Sequence, residues 1–203
     1  VSHVSSRSSA GRPEATSHAA IEQAAFRLFA QRGFAATTLD AIADAVGVGR
    51  RTLFRYYASK NDIPWGQFDR TLEGFREIFA SIPDDVGLYE AIGRAITEFN
   101  SFPPDASPPH EERMRLILRT PALQAHSVLR YAEWRQVIAD HAALRLGVPA
   151  DSLEPRLLGH VGLALALAAY ESWLDDPATP ISELLAQGLA HLADHASTAR
   201  RGA

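Results

Sequence analysis

Arg50, Arg51, Phe54 and Arg55 fall on one side of a short segment at about 100° per residue, while Thr52, Leu53, Tyr56 and Tyr57 lie on or beside the other. A guanidinium donates two parallel hydrogen bonds to the O6 and N7 edge of guanine, and arginine or a threonine hydroxyl also holds phosphate. A basic side of this kind suits the major groove of duplex DNA. The same pattern also describes a helical hairpin with a solvated basic face, so the flanking residues must supply the context.

That context is a pair of short helices. Thr37 and Thr38 precede Leu39, the first spaced apolar residue, and Asp40 sits in the first turn, where the helix dipole favours an acid. Ile42, Ala43 and Val46 continue the period and Gly47 follows, a residue that adopts a left-handed cap without steric penalty. After Val48 and Gly49 a second helix is predicted from Arg50 to Tyr57, which makes a helix-turn-helix between Thr38 and Lys60. Ile21, Ala24, Ala25, Leu28 and Phe29 form a stripe over 17–32 that predicts a first helix ended by Gly33 and packed across the hairpin.

The run Thr38, Ile42-Ala43, Gly47-Val48, Thr52-Leu53-Phe54, Tyr56-Tyr57 and Ser59-Lys60 resembles the tetracycline-repressor (TetR/AcrR) family of bacterial transcriptional regulators. The resemblance implies an all-α dimer with an N-terminal DNA-binding domain and a C-terminal ligand-binding and dimerisation domain. Carried onto this sequence, it gives Thr38, Gly49, Arg50, Arg51, Thr52, Phe54, Arg55, Tyr56 and Lys60 as DNA-binding candidates. Arg50, Arg51 and Arg55 are the base readers among them, and Thr38, Tyr56 and Lys60 hold phosphate. Phe54 departs from the family's tyrosine and lacks its phosphate-binding hydroxyl; it is left to touch a thymine methyl or to pack. Tyr56 is then the better phosphate candidate. Two longer runs, RRTLFRYYASKNDIPWGQFD and RMRLILRTPALQAHSVLRYAEWR, are similar to regulators encoded beside mycofactocin biosynthesis genes in actinobacteria, which implies a fatty acyl-CoA as effector class.

Charge supports a divided chain. The net charge is −4 over 203 residues, but residues 1–60 hold eight basic and four acidic side chains, so a basic lobe precedes an acidic remainder. Phosphate attracts the first and repels the second. The expected division is an N-terminal arm at 1–16, a DNA-binding domain at 17–59 and a ligand-binding and dimerisation domain at 60–203. Arg7 and Arg12 on the arm are candidates for a minor groove, or are simply solvated. The serine-rich arm lacks the apolar middle of a signal peptide and no apolar run is long enough for a membrane, so a cytoplasmic protein is expected.

Beyond Lys60 the pattern is helical throughout. Ser59 and Asp62 fit a capping box opening a long helix to about Ile82, kinked near Pro64 and Gly66, with Trp65, Phe68, Leu72, Phe75 and Phe79 as its apolar stripe. Further helices are predicted over 88–101, 111–119, 121–146, 153–174 and 181–195. The proline-rich FPPDASPP at 102–109 is a connection, either a surface loop or the border of a ligand entrance. Phe68, Leu72, Phe75, Phe99, Phe102, Met114, Leu118, Arg119, Tyr131 and Trp134 are the candidates for lining an effector site; by spacing alone they also read as core. Arg113, Arg115, Arg119 and Arg130 flank the same region and can grip an acidic ligand.

The helix from Leu153 is apolar nearly all round, with His160 its only polar side chain between Leu157 and Ala169, so it is buried on more than one side. The family places a four-helix dimer interface on the last two helices, which gives Leu158, Val161, Leu165, Ala169, Trp173, Leu185, Leu189 and Leu192 as interface candidates. No catalytic constellation, cofactor motif or metal site emerges. Gly47-x-Gly49 lacks a third glycine and follows a helix, and His191 with His195 lacks a third ligand. His126 and His160 read as core histidines, and with no cysteine thiol chemistry is excluded. The alternative to a regulator is a small-molecule-binding protein with impaired DNA binding, because Phe54 removes one expected contact.

Overall fold

The computed structural model describes residues 16–103 and 105–201, with side chains as far as residue 194. The arm with Arg7 and Arg12, Pro104 of the proline-rich connection and the His195 side chain lie outside the described residues. The described residues are helical with no strand, and the chain divides between Ala58 and Ser59 into two compact units.

In the first unit, Ser17 accepts a hydrogen bond from the Ala20 amide and opens α1 (His18–Arg32), which ends at Gly33. Ile21, Ala24, Ala25, Leu28 and Phe29 are all buried, joined by Phe26 and by Phe34 beyond the cap. Thr37 is buried too, and its hydroxyl donates to the Gly33 carbonyl at 2.9 Å. Thr38 caps α2 (Leu39–Ala45) by accepting from the Ala41 amide. Gly47 has φ +69°, a left-handed value that lets the Val48 amide turn back onto the Ala43 carbonyl and stop the helix. Then α3 covers only Arg50–Leu53, shorter than the predicted 50–57. The Arg55 and Tyr56 amides bond three residues back instead of four, which tightens the chain as Tyr56 and Tyr57 turn their rings edge-on to His18 of α1. α1 packs on α2 and α2 on α3, giving a three-helix unit.

The second unit opens differently from the predicted long helix. Residues Lys60–Trp65 form a 3-10 helix, Gly66 breaks the path at φ +60°, and α4 runs Phe68–Ser81. Pro64 has no N–H to give to an α-helical turn. The capping box does not form either: the Ser59 hydroxyl donates to the Asp62 carboxylate at 2.7 Å and accepts no backbone amide at the helix start. Asp62 is instead a cross-chain tie, receiving His126 at 2.8 Å and Arg130 at 3.2 Å. Burial of this carboxyl opposes its charge, but the bonds from Ser59, His126 and Arg130 and the nearness of the His126 ring outweigh that and hold its pKa below 3.8.

The remaining helices are α5 (Leu88–Phe99), α6 (His110–Arg119), α7 (Pro121–Leu146), α8 (Leu153–Asp175) and α9 (Ile181–Arg201). α7 and α8 pack against each other, α4 packs on α5 and α7, and α9 packs on α8 and α5. The shared core holds Phe68, Leu72, Phe75 and Phe79 of α4, Ile92 and Ile96 of α5, Trp134 and Ile138 of α7, Leu158 and Leu165 of α8, and Leu185 of α9. A Cβ added at Gly159 would meet the Arg135 carbonyl oxygen at 2.7 Å, so the α7 and α8 backbones approach closely only because α8 has no side chain there.

Candidate nucleic-acid interface and ligand-binding residues

The first unit sorts its short α3 cleanly. Leu53 and Tyr57 are buried, Thr52 is half-buried, and Arg50, Arg51, Phe54 and Arg55 are exposed, as is Gly49 just before the helix. Leu53 packs inward, and the buried Tyr57 hydroxyl donates to the buried Glu22 carboxylate of α1 at 2.7 Å. The exposed arginines therefore stand on a fixed base. Glu22 had no signal in the local pattern, since its partner lies 35 residues away.

Two placements change the expected roles. The single O–H of Tyr56 donates to the Thr16 carbonyl at 2.5 Å, so it reaches a phosphate only by giving up that bond. Arg50 is held by Asp40 of α2 at 3.2 Å, and its guanidinium carbon lies 5.4 Å from the centre of the Phe54 ring. Phe54 thus carries an arginine on its face, a contact that depends on the ring alone. The Thr38 hydroxyl accepts at the α2 cap while remaining beside exposed backbone. Lys60 begins the second unit half-buried, and burial lowers its pKa from 10.5.

In the second unit the ligand candidates fall into two groups. Phe75 is fully buried among Phe99, Phe79 and Trp134, with ring centres 4.4, 5.1 and 5.2 Å away. Trp65 lies edge-on to Phe68 and Tyr131, and its indole N–H is enclosed without an acceptor. Phe68, Leu72 and Trp134 are buried in the core, whereas Phe99, Tyr131, Met114 and Leu118 are half-buried. Burial raises the Tyr131 pKa above 10.0.

The second group centres on His110, which sequence reasoning did not single out. Its ring stacks on Phe102 at 3.5 Å, and its Nε2 lies 2.8 Å from the Tyr170 hydroxyl. Tyr170 spends its proton on Asn100 Oδ1 at 2.6 Å, so His110 Nε2 is the donor to Tyr170. Burial, followed by the positive charge of Arg113, pushes the His110 pKa down to about 3; burial also raises that of Tyr170. The result is a neutral polar chain linking the end of α5, the start of α6 and α8.

This depression has a measurable consequence. Between about pH 3 and 6.5 the unfolded chain takes up a proton that folded His110 excludes, so its contribution is full above pH 6.5 and falls as pH drops. Going from pH 7 to pH 5 is expected to cost about 2 kcal/mol of stability through this residue. His141, also lowered by burial, acts in the same direction. Urea unfolding of the wild type and His110→Gln at both pH values separates the two: the variant should lose less stability on acidification, and equal losses would refute the assignment to His110.

The four arginines offered for an acidic ligand are already engaged. Arg113 donates to the Pro64 carbonyl at 2.6 Å, Arg115 pairs with Glu111 at 2.7 Å, and Arg119 pairs with Asp175 at 2.6 Å. Arg130 meets Asp62, Glu133 and Asp69 at 3.2, 3.3 and 3.7 Å. An anion bound here would compete with these partners for the guanidinium donors, Arg119 among them.

The interface candidates are likewise re-sorted. Leu158, Leu165, Ala169 and Leu185 are buried within the single chain, and Trp173 and Leu189 are half-buried. Only Val161 and Leu192 are exposed, at 39% and 46%. The open side of α8 instead carries Leu157, Val161, Ala164 and Ala168, with His160 beside them, so His160 is not a core histidine. Among the described residues no group of three or more metal-ligating side chains occurs.

Comparison with known proteins places these units. Residues 21–63 match the bacterial regulatory proteins of the tetR family, and residues 86–197 match the MftR C-terminal domain family. A protein of Mycobacterium tuberculosis described as the mycofactocin biosynthesis transcriptional regulator MftR is 42% identical over 175 residues, 86% of this chain and 88% of that one. The regulator TcmR of Streptomyces glaucescens is 30% identical over 156 residues, 73% of this chain and 69% of that one. Among solved structures, the SmeT–triclosan complex matches with a TM-score of 0.60 at 17% identity, covering 86% of this chain and 90% of that one. Thermus thermophilus FadR bound to lauroyl-CoA matches at 0.55 and 24% identity, covering 87% and 93%.

Proposed function

This chain belongs to the TetR family of bacterial transcriptional regulators, and from that premise we propose that it is a cytoplasmic homodimeric repressor, released from a palindromic operator by a small apolar or acyl-CoA-like effector. The observation that carries the DNA-binding part is the exposed set Arg50, Arg51 and Arg55 standing on buried Leu53 and Tyr57. We assign it no catalytic residue and no cofactor. The relationship to the mycobacterial regulator supports mycofactocin genes as its targets.

The open side of α8, with Leu192 of α9, is the surface we assign to the second copy, because it is apolar and unpartnered in one chain. A two-fold dimer would present two α3 segments about 34 to 36 Å apart, or a multiple of that, to the two half-sites. An effector releases the DNA if it binds more tightly to a dimer whose α3 segments no longer match that spacing.

For the effector, the aromatic residues Trp65, Phe68, Phe99, Tyr131 and Trp134 favour an apolar body, and the enclosed Trp65 N–H would gain an acceptor from it. The lauroyl-CoA on the similar FadR supports the acyl version. The paired arginines favour an uncharged one.

The alternative, a ligand-binding protein with impaired DNA binding, draws on Phe54 without a hydroxyl and Tyr56 with its hydroxyl committed. Selection from a pool of randomised duplexes tests the choice. Enrichment of a palindrome bound by two chains supports the repressor, and no enrichment over random sequence supports the alternative. Adding lauroyl-CoA, lauric acid or triclosan to the enriched complex then separates acyl-CoA, acyl-chain and uncharged aromatic release.

A further inference from the structure

Asp40 and Phe54 are the two groups that hold Arg50, the first at 3.2 Å from its Nη1 and the second beneath its guanidinium at 5.4 Å. Stability does not account for the pair, because Arg50 and Asp40 are each 60% exposed and such pairs contribute little to folding. Their location is more informative. Asp40 lies in the first turn of α2, and its partner lies at the start of the base-reading segment.

We propose that Asp40 is a positioning residue for sequence selectivity: with the Phe54 ring it holds the Arg50 guanidinium ready for a guanine edge and keeps it from being spent on backbone phosphate. This rests on the DNA-reading function proposed above. An arginine free on its stem neutralises phosphate on any sequence and adds to non-specific affinity. One held at a carboxylate surrenders that contact, and the nearby negative charge repels phosphate in addition. On a matched duplex the held guanidinium loses less side-chain freedom when it forms two bonds to guanine, which offsets the repulsion. Phe54 acts in the same sense, since it supplies the platform without a hydroxyl that could hold phosphate on every sequence.

Two duplexes serve as probes: the one enriched from the randomised pool by the wild-type chain, and a scramble of it with equal composition. Affinities are measured by fluorescence anisotropy across a salt series. Asp40→Asn should bind the scramble about tenfold tighter and steepen its log–log salt slope by about one, the signature of one additional neutralised phosphate. The enriched duplex should gain less than about threefold, so selectivity falls. Asp40→Glu should retain the wild-type ratio, and Asp40→Asn should have no such effect on selectivity in an Arg50→Ala background.

Equal tightening on both duplexes would mean simple removal of a negative charge, and it would overturn the proposal, as would an unchanged ratio and slope. If the wild-type chain enriches nothing, the DNA-reading function itself fails and the positioning role falls with it; enrichment with an unchanged Asp40→Asn ratio removes the positioning role alone.

Discussion

Replacing both Arg50 and Arg51 with alanine is expected to abolish preference for the enriched duplex while leaving the fold intact. Each bidentate arginine–guanine contact contributes about 1–3 kcal/mol of discrimination, so losing two should weaken selective binding by about 30-fold to 10⁴-fold. Binding to the scrambled duplex should fall much less, because its phosphates remain open to Arg55 and to other basic groups of the first unit. Arg50 and Arg51 are exposed, and neither contributes to the buried set around Leu53 and Tyr57. Helical content and thermal midpoint should therefore match the wild type. Anisotropy titrations beside circular dichroism check both halves. A double variant that keeps its preference within about threefold would move base reading off this side of α3.

Phe75→Ala should be the most damaging single change in the second unit. Its side chain is fully buried and touched by three aromatic rings, from α4, α5 and α7. Truncating a buried phenylalanine removes its transfer free energy and leaves a hole that helices of this length close only in part, at a cost of about 3–5 kcal/mol. Urea unfolding followed by tryptophan fluorescence reports on it directly, because Trp134 is one of the three neighbours. The same measurement separates two roles that spacing alone could not. A ring filling a packed core costs this much to remove, whereas one facing open space for a ligand costs little. A loss below about 1 kcal/mol would place Phe75 on the wall of an effector site. Its complete burial makes it core.

Much of this architecture was legible locally. Ser17, Thr38, Gly33, Gly47 and Pro121 mark helix ends by their own backbone and side-chain chemistry; α1 starts and stops where Ser17 and Gly33 place it, and α7 starts at Pro121. The division of Arg50, Arg51 and Arg55 from Leu53 followed from period alone. The long helix predicted over 60–82 did not form as one piece, because Asp62 bonds the Ser59 hydroxyl and two distant partners, His126 and Arg130, in place of a local cap, and Gly66 took a positive φ. The partners of the arginines were hidden for a related reason: Arg113, Arg119 and Arg130 meet groups that lie 49, 56 and 68 residues away.

By itself, then, the sequence determined that the chain is helical, where most helices begin and end, and which short side reads as basic. These are properties of neighbours within a turn or two, and they are set by backbone dihedrals, capping and the 3.6-residue period. Tertiary structure alone decided which apolar sides meet within the chain, so that Leu158, Leu165 and Leu185 became core while Leu157 and Val161 stayed open. It also decided which charges are spent. Arg50 reached Asp40 ten residues back, and Tyr56 reached Thr16, because a side chain's partner is fixed by packing in space rather than by separation along the chain.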